Sequence, residues 1–332
     1  AGPHSFYNEP GFAPRDNSQA EDDGYLVMPV WNPTDLRSEI QVFDCRGARM
    51  AEGPIARILL PRRIPHGFHA TFVSQQTLDR WKYLMVLVPQ ARIDAYAARG
   101  WWGTQTLWDH FAGNVRRWGY REAVVDAPNR AEFAHGTPRR LTWTQLADEV
   151  DHFCHVLIEQ RIGRDDILVA MMPNCVEQFV VYLACARLGV VVTPVPVQYR
   201  EHELHHILSQ TEAVAAVTFG RIGKAGHAHA AAAMFADLRA THPAFKTVLA
   251  WGDSLGAGVT PLADPMAQPL SQASLARIAG AAQDAAVTAN DVFSICWTSG
   301  TEAQPKGVPR SHNEWLIVPP SIIEAARIPA HA

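Results

Sequence analysis

Three things are scarce in this chain, and each scarcity removes a class of function. Basic residues are not in excess: 29 Lys and Arg stand against 33 Asp and Glu, a net charge of −4. No basic stripe breaks the sequence, which excludes an electrostatic nucleic-acid surface. Cysteines number five (Cys45, Cys154, Cys175, Cys185, Cys296), an odd count with no C-x-x-C pair, which excludes a disulfide framework or a zinc knuckle. Long hydrophobic runs are missing, since residues 83–89 and 190–197 fall far short of the ~20 apolar residues a membrane span needs. The opening Ala1-Gly2-Pro3-His4 has no charged stretch leading into an apolar one, so no secretory signal is visible. Four of the thiols lie in apolar segments, where cysteine behaves as a small hydrophobe, and a reducing, cytoplasmic setting is expected. What is plentiful is apolar content, 48% against 19% charged, enough to bury a sizeable core.

The patterning changes near residue 85. Before it, residues 25–30 form an apolar strand, and Asn32-Pro33-Thr34-Asp35 reads as a turn. Residues 38–45 alternate polar and apolar as a half-buried strand does, and residues 55–60 supply a third strand before Pro61. Three short antiparallel strands make one sheet or one propeller blade rather than a complete domain.

After it, helix and strand alternate. Residues 107–118 place Trp108, Phe111, Val115 and Trp118 at helical spacing. Thr142 and Gln145 fit a capping box opening a helix with Leu146, Val150, Phe153 and Leu157 on one face. A buried strand over 167–172 leads to Asn174, expected to cap a helix that Gly189 ends. Strands over 190–193, 213–218 and 246–251 alternate with helices over 201–210 and 226–241. This predicts an α/β fold with a doubly wound, mainly parallel sheet. Residues 252–286, rich in Gly, Ala, Pro and Gln, read as a surface excursion before a strand over 292–297.

The sharpest motif follows that strand: Trp297-Thr298-Ser299-Gly300-Thr301-Glu302-Ala303-Gln304-Pro305-Lys306-Gly307. Small residues let backbone N–H groups converge on an anion, hydroxyls add donors without bulk, and a lysine nearby supplies a point charge. The motif suits a polyphosphate. It is neither a Walker A loop, because Lys306 precedes Gly307, nor a nucleophile elbow, because Trp297 stands where that motif has glycine.

This segment resembles the Thr-Ser-Gly-Thr-x-x-x-Pro-Lys-Gly signature of the adenylate-forming superfamily, the AMP-forming acyl-CoA synthetases. Glu302-Ala303 replaces its commoner Thr-Gly. Residues 92–102, 141–146, the Met172-Pro173-Asn174 turn and residues 183–194 are similar to that family's N-terminal part in order and spacing. The resemblance implies ATP with Mg2+, a carboxylic acid substrate and coenzyme A. It also implies that Thr298, Ser299, Gly300, Thr301, Glu302, Lys306 and Gly307 bind the phosphates, with Lys306 in the catalytic role. The family's later motifs, for adenine, ribose, hinge and catalytic lysine, have no match here, so little or no ligase activity is expected of this chain alone.

A second resemblance covers the start. Phe12-Ala13-Pro14-Arg15, Glu21-Asp22-Asp23-Gly24-Tyr25 and residues 60–69, ending Pro65-His66-Gly67-Phe68-His69, are similar to the C-terminal end of carotenoid cleavage oxygenases. Those are propellers whose iron is held by four histidines, and His69 is the position that would carry an Fe2+ ligand. The expected division is residues 1–80, a β-rich oxygenase-like remnant; 81–100, a junction; and 101–332, an AMP-binding N-terminal domain. The rivals to a ligase are a carotenoid- or stilbene-type dioxygenase fragment and an inactive fused remnant. His202-Glu203-Leu204-His205-His206 matches H-E-x-x-H but sits where the synthetase resemblance places an ordinary charged helix.

Overall fold

The computed structural model describes residues 6–7, 10–15, 20, 22–32, 37–60, 86–223, 228–253, 255–262, 269–298 and 305–328. The chain divides into two units, residues 1–84 and 85–332.

The first unit is an antiparallel sheet of β1 (Phe6–Tyr7), β2 (Gly11–Pro14), β3 (Gly24–Asn32), β4 (Arg37–Asp44) and β5 (Ala56–Leu59). β3 is central, pairing β4 on one side and both β1 and β2 on the other, and β5 extends β4. Sequence patterning found the last three strands. The first two span two and four residues, too short for an alternation to register. Among its described residues only Ala13 and Val30 are buried apolar side chains. At one end of β4 the Asp44 carboxylate collects Arg46 (2.7 Å), Arg15 (3.2 Å) and Arg49 (3.4 Å); hydrogen bonds from Arg46 hold it well below the usual carboxylate range.

The second unit opens with α1 (Gln90–Ala98) and α2 (Leu107–Trp118), then a two-stranded sheet of β6 (Glu122–Val125) and β7 (Arg140–Thr142). The rest alternates as expected: α3 (Trp143–Glu159), β8 (Ile167–Ala170), α4 (Val176–Leu188), β9 (Val191–Pro194), α5 (Glu201–Thr211), β10 (Ala215–Phe219), α6 (Ala231–Leu238) and β11 (Thr247–Trp251). After them come β12 (Thr260–Pro261), α7 (Gln272–Ala285), β13 (Val292–Thr298), β14 (Lys306–Ser311), α8 (His312–Leu316) and α9 (Val318–Ala325). The sheet order is β12-β11-β10-β8-β9-β13-β14, parallel except for β14.

Starting from β8, the chain steps to β9 on one side, then crosses to β10 on the other and continues outward. Right-handed crossovers therefore put the intervening helices on opposite faces. α2, α3, α4 and α7 pack together on one face, and α5 and α6 on the other. This is the doubly wound sheet. Its centre is dry: Leu168 and Val169 of β8, Val217 and Phe219 of β10, Leu157 of α3, Val181 of α4 and Ile207 of α5 are all fully buried.

Local chemistry accounts for the element ends, with two corrections. The Thr142–Gln145 capping box forms in both directions, at 3.2 and 2.9 Å. Asn174, however, caps nothing: Cys175 occupies the N-cap of α4 without a side-chain bond. The Val176 amide instead donates to Asp126 Oδ1 at 2.8 Å, a partner distant in sequence. Residues 252–286 contain α7, capped by Ser271, whose hydroxyl accepts from the Ser274 amide at 3.1 Å. The alanine and glutamine read as loop filler are helix formers there.

Gly189 ends α4 at φ +71°, where an added Cβ would lie 3.1 Å from Val287 Cγ2 and 3.3 Å from Arg164 Cγ. Gly189→Ala is expected to destabilise the unit by about 1–2 kcal/mol, read as a lower denaturation midpoint. An unchanged midpoint would show that the left-handed turn is relaxed at no cost.

Candidate active site

A cleft of about 1030 Å³ opens at the carboxyl ends of the central strands. Its walls are residues 172–174 after β8, 194–198 after β9, 222–223 after β10 and 296–297 at the end of β13, with Phe133 and Gln178 alongside. In a doubly wound sheet this is the crevice where adjacent connections leave in opposite directions and ligands are received. At its rim Arg200 Nη1 lies 3.5 Å from His229 Nε2. Burial first, then the charges of Arg200 and Arg221, hold the pKa of that imidazole below its ordinary value.

The Thr298–Gly307 motif continues from the end of β13 beside this cleft. Antiparallel pairing sets Thr298 opposite Lys306, Trp297 opposite Gly307 and Cys296 opposite Val308. The two ends of the motif therefore stand side by side, with Thr298 Oγ1 3.5 Å from the Lys306 carbonyl. Lys306 and Gly307 are exposed. Ser299, Gly300, Thr301 and Glu302 lie outside the described residues, as does His69.

Gly307 is needed for packing. A Cβ there would meet Ile295 Cγ2 at 2.9 Å, closer than real Cβ atoms approach, and the Trp297 ring at a tight 3.2 Å. The Trp297 indole is itself pinned, donating Nε1–H to Thr193 Oγ1 at 2.7 Å, while that hydroxyl donates to the Ile295 carbonyl at 2.9 Å. Thr193 thus ties β9 to β13 beside a ladder whose one registered pair is Ser294 with Val192.

The H-E-x-x-H segment forms the first turns of α5 and is used for structure. Glu203 accepts from the Arg200 amide at 2.9 Å and caps the helix. His205 Nδ1 lies 2.9 Å from His242 Nε2. His206 Nε2 lies 3.1 Å from the Pro305 carbonyl. Among the described residues, no three His, Cys, Asp or Glu side chains are grouped to hold a metal. The first unit carries only His4, His66 and His69 as imidazoles, so a four-histidine iron centre cannot be assembled from its residues.

Beneath the cleft wall lies a buried charge cluster that sequence reasoning missed. Arg130 meets Asp126 at 2.6 Å and Glu177 at 2.6 Å, and donates to the His135 carbonyl at 2.9 Å. Arg139 joins Glu177 at 3.2 Å and also pairs with Glu149. Burial raises the Glu177 carboxyl, but the hydrogen bonds and charge of Arg130 outweigh it and hold the group below its ordinary value.

Comparison with known proteins places the chain. Residues 111–319 match the family model "AMP-binding enzyme". Residues 1–74 match "Retinal pigment epithelial membrane protein". The chain is 26% identical over 231 residues to a Streptomyces "Salicylyl-CoA synthase / salicylate adenylyltransferase", covering 68% of this chain and 38% of the relative. Its beginning is 39% identical over 80 residues to a Crocus sativus "Carotenoid 9,10(9',10')-cleavage dioxygenase", covering 24% of this chain and 14% of that enzyme. Its fold is similar to that of apo MbtA from Mycobacterium smegmatis, with a TM-score of 0.56 and 22% identity over 73% of this chain and 40% of that one. No helix among the described residues is long and apolar enough to cross a membrane. With the model match spanning well over half its length, the chain belongs to the AMP-binding enzyme family.

Proposed function

We propose that this chain carries the nucleotide-handling part of an AMP-forming acid–thiol ligase, and that its acid is an aryl carboxylate. One observation carries this reading: the β13–β14 hairpin sets Thr298 and Lys306 side by side at the edge of the switch-point cleft. The aryl class is supported by the Streptomyces relative, whose name specifies salicylate. On this reading residues 101–332 are the N-terminal portion of the AMP-binding domain, residues 1–80 an oxygenase-like β remnant and residues 81–100 their junction.

The reaction has two steps. A carboxylate oxygen of the acid attacks the α-phosphorus of Mg-ATP; the bond to the bridging oxygen breaks, and pyrophosphate leaves with its electron pair. The thiol of coenzyme A then attacks the acyl carbon, AMP departs and the thiol proton is released. In the first step the chain's task is positioning and charge balance. Thr298, Ser299, Gly300 and Thr301 cradle the β- and γ-phosphates with Glu302 and Gly307 flanking them, and the Lys306 ammonium stabilises the charge developing on the leaving group.

The test is calorimetric titration with Mg-ATP, followed by pyrophosphate release in the presence of salicylate. Saturable binding is expected, weakened at least tenfold by Lys306→Ala, a loss of about 1.4 kcal/mol or more. Binding equal in the parent and in Lys306→Ala would remove the assignment of this loop. Binding without pyrophosphate release would restrict the chain to nucleotide recognition.

A further inference from the structure

The most instructive leftover of the sequence is His206. It closes an H-E-x-x-H match, yet the helix directs it away from any metal cluster and onto the phosphate-loop hairpin. Pro305 offers a carbonyl, which only accepts, so His206 Nε2 carries the proton across the 3.1 Å contact. The same ring stands edge-to-face on Trp297, with centroids 6.0 Å apart and planes at 71°. Trp297 in turn is locked by Thr193. A continuous relay therefore runs from β9 through Trp297 and His206 to the peptide bond that joins Pro305 to Lys306.

The relay bears on Lys306 for a simple reason. Lys306 begins β14, and its side chain is exposed. Pro305 has no amide hydrogen, so its residue can be fastened through the carbonyl alone. His206 supplies that fastening from a different layer of the fold, ninety-nine residues earlier.

We propose that His206 is a positioning residue for Lys306: by donating to the Pro305 carbonyl it sets where the lysine ammonium meets the nucleotide phosphates. The proposal rests on the reading that this loop binds ATP. It assigns His206 no metal and no proton transfer.

Two substitutions separate the hydrogen bond from packing. His206→Phe keeps an aromatic edge against Trp297 and deletes the donor; His206→Gln places an amide N–H near the position of Nε2. Mg-ATP titration, thermal unfolding and hydrogen exchange at the 306–308 amides would be measured on the full chain. For His206→Phe we expect a five- to tenfold higher Kd, an unchanged Tm and at least tenfold faster exchange at Lys306. His206→Gln should return the Kd to within twofold of the parent. Unaltered Kd in His206→Phe, with binding weakened at least tenfold by Lys306→Ala, would overturn the proposal and leave the ATP reading intact. Equal loss of Tm and affinity in both variants would also overturn it, reducing His206 to a packing residue. A parent that binds no ATP would remove the reading and this role together, whereas the exchange result would still report whether the tether exists.

Discussion

Arg130→Met is expected to lower the unfolding free energy of the AMP-binding unit by about 3–5 kcal/mol. The guanidinium is 2% exposed and bonded to two carboxylates that are themselves buried. Methionine fills comparable volume but removes the only side-chain cation that Asp126 meets among the described residues and leaves Glu177 with Arg139 alone, and removing one member of such a cluster costs far more than the intact cluster contributes. Asp126 also holds the first amide of α4, so the damage should reach the cleft wall at residues 172–174. The pH dependence gives a second check. In the parent, Glu177 has a depressed pKa, so its contribution is present above the unfolded value of 4.5 and is lost as pH falls through the folded one. The variant lacks that term, because Glu177 has lost the partner that held its pKa down. The gap between the two proteins should therefore narrow towards acid pH in urea titrations. A gap that stays constant with pH would mean the loss comes from packing rather than from stranded charge.

The second large effect concerns acid and His312. This imidazole is 1% exposed, and its Nδ1 accepts the Leu107 amide at 3.2 Å, satisfying an N–H that α2 leaves unpaired at its start. Burial is the main cause that lowers its pKa to about 4, against small opposing pulls from Asp291 and Asp109. The folded value lies below the unfolded 6.5, so between them the unfolded chain binds more protons. Stability is complete above pH 6.5 and falls as pH drops towards 4, by about 3 kcal/mol in all. His312→Asn keeps an acceptor near the position of Nδ1 without a titrating group and should flatten that decline between pH 6.5 and 4.5, above the range where the Glu177 contribution is lost. Equal slopes for parent and variant would show that His312 does not control acid unfolding.

These two sites show what could and could not be read in advance. The alternating strands and helices were legible, because burial of a parallel sheet imposes apolar runs such as residues 167–172. So were the Thr142–Gln145 cap and the Gly189 stop, whose partners lie within one helical turn. The ends of the hairpin were half legible. Its motif stood out, whereas the antiparallel pairing of Thr298 with Lys306 depends on the ladder. The cap on α4 was misassigned, because its acceptor, Asp126, is fifty residues away. His206 stands ninety-nine residues from the carbonyl it meets, and Arg130 forty-seven from Glu177. No periodicity encodes such distant pairs. The signal that was available was chemical: a polar residue in a strongly apolar neighbourhood, as Glu177 is beside Val176 and Val180, demands a counter-charge.

The pairing of Thr298 with Lys306 has a further meaning in polymer terms. Seven residues separate them, and the ladder keeps the ends of that segment joined whatever the segment itself does. Bringing the ends of so short a loop together costs roughly 2 kcal/mol of chain entropy by the logarithmic closure rule. Folding of the sheet has already met that cost before any ligand arrives. On the proposed reading, a phosphate group would meet a loop whose two ends are already joined, and more of its binding free energy would be retained as affinity.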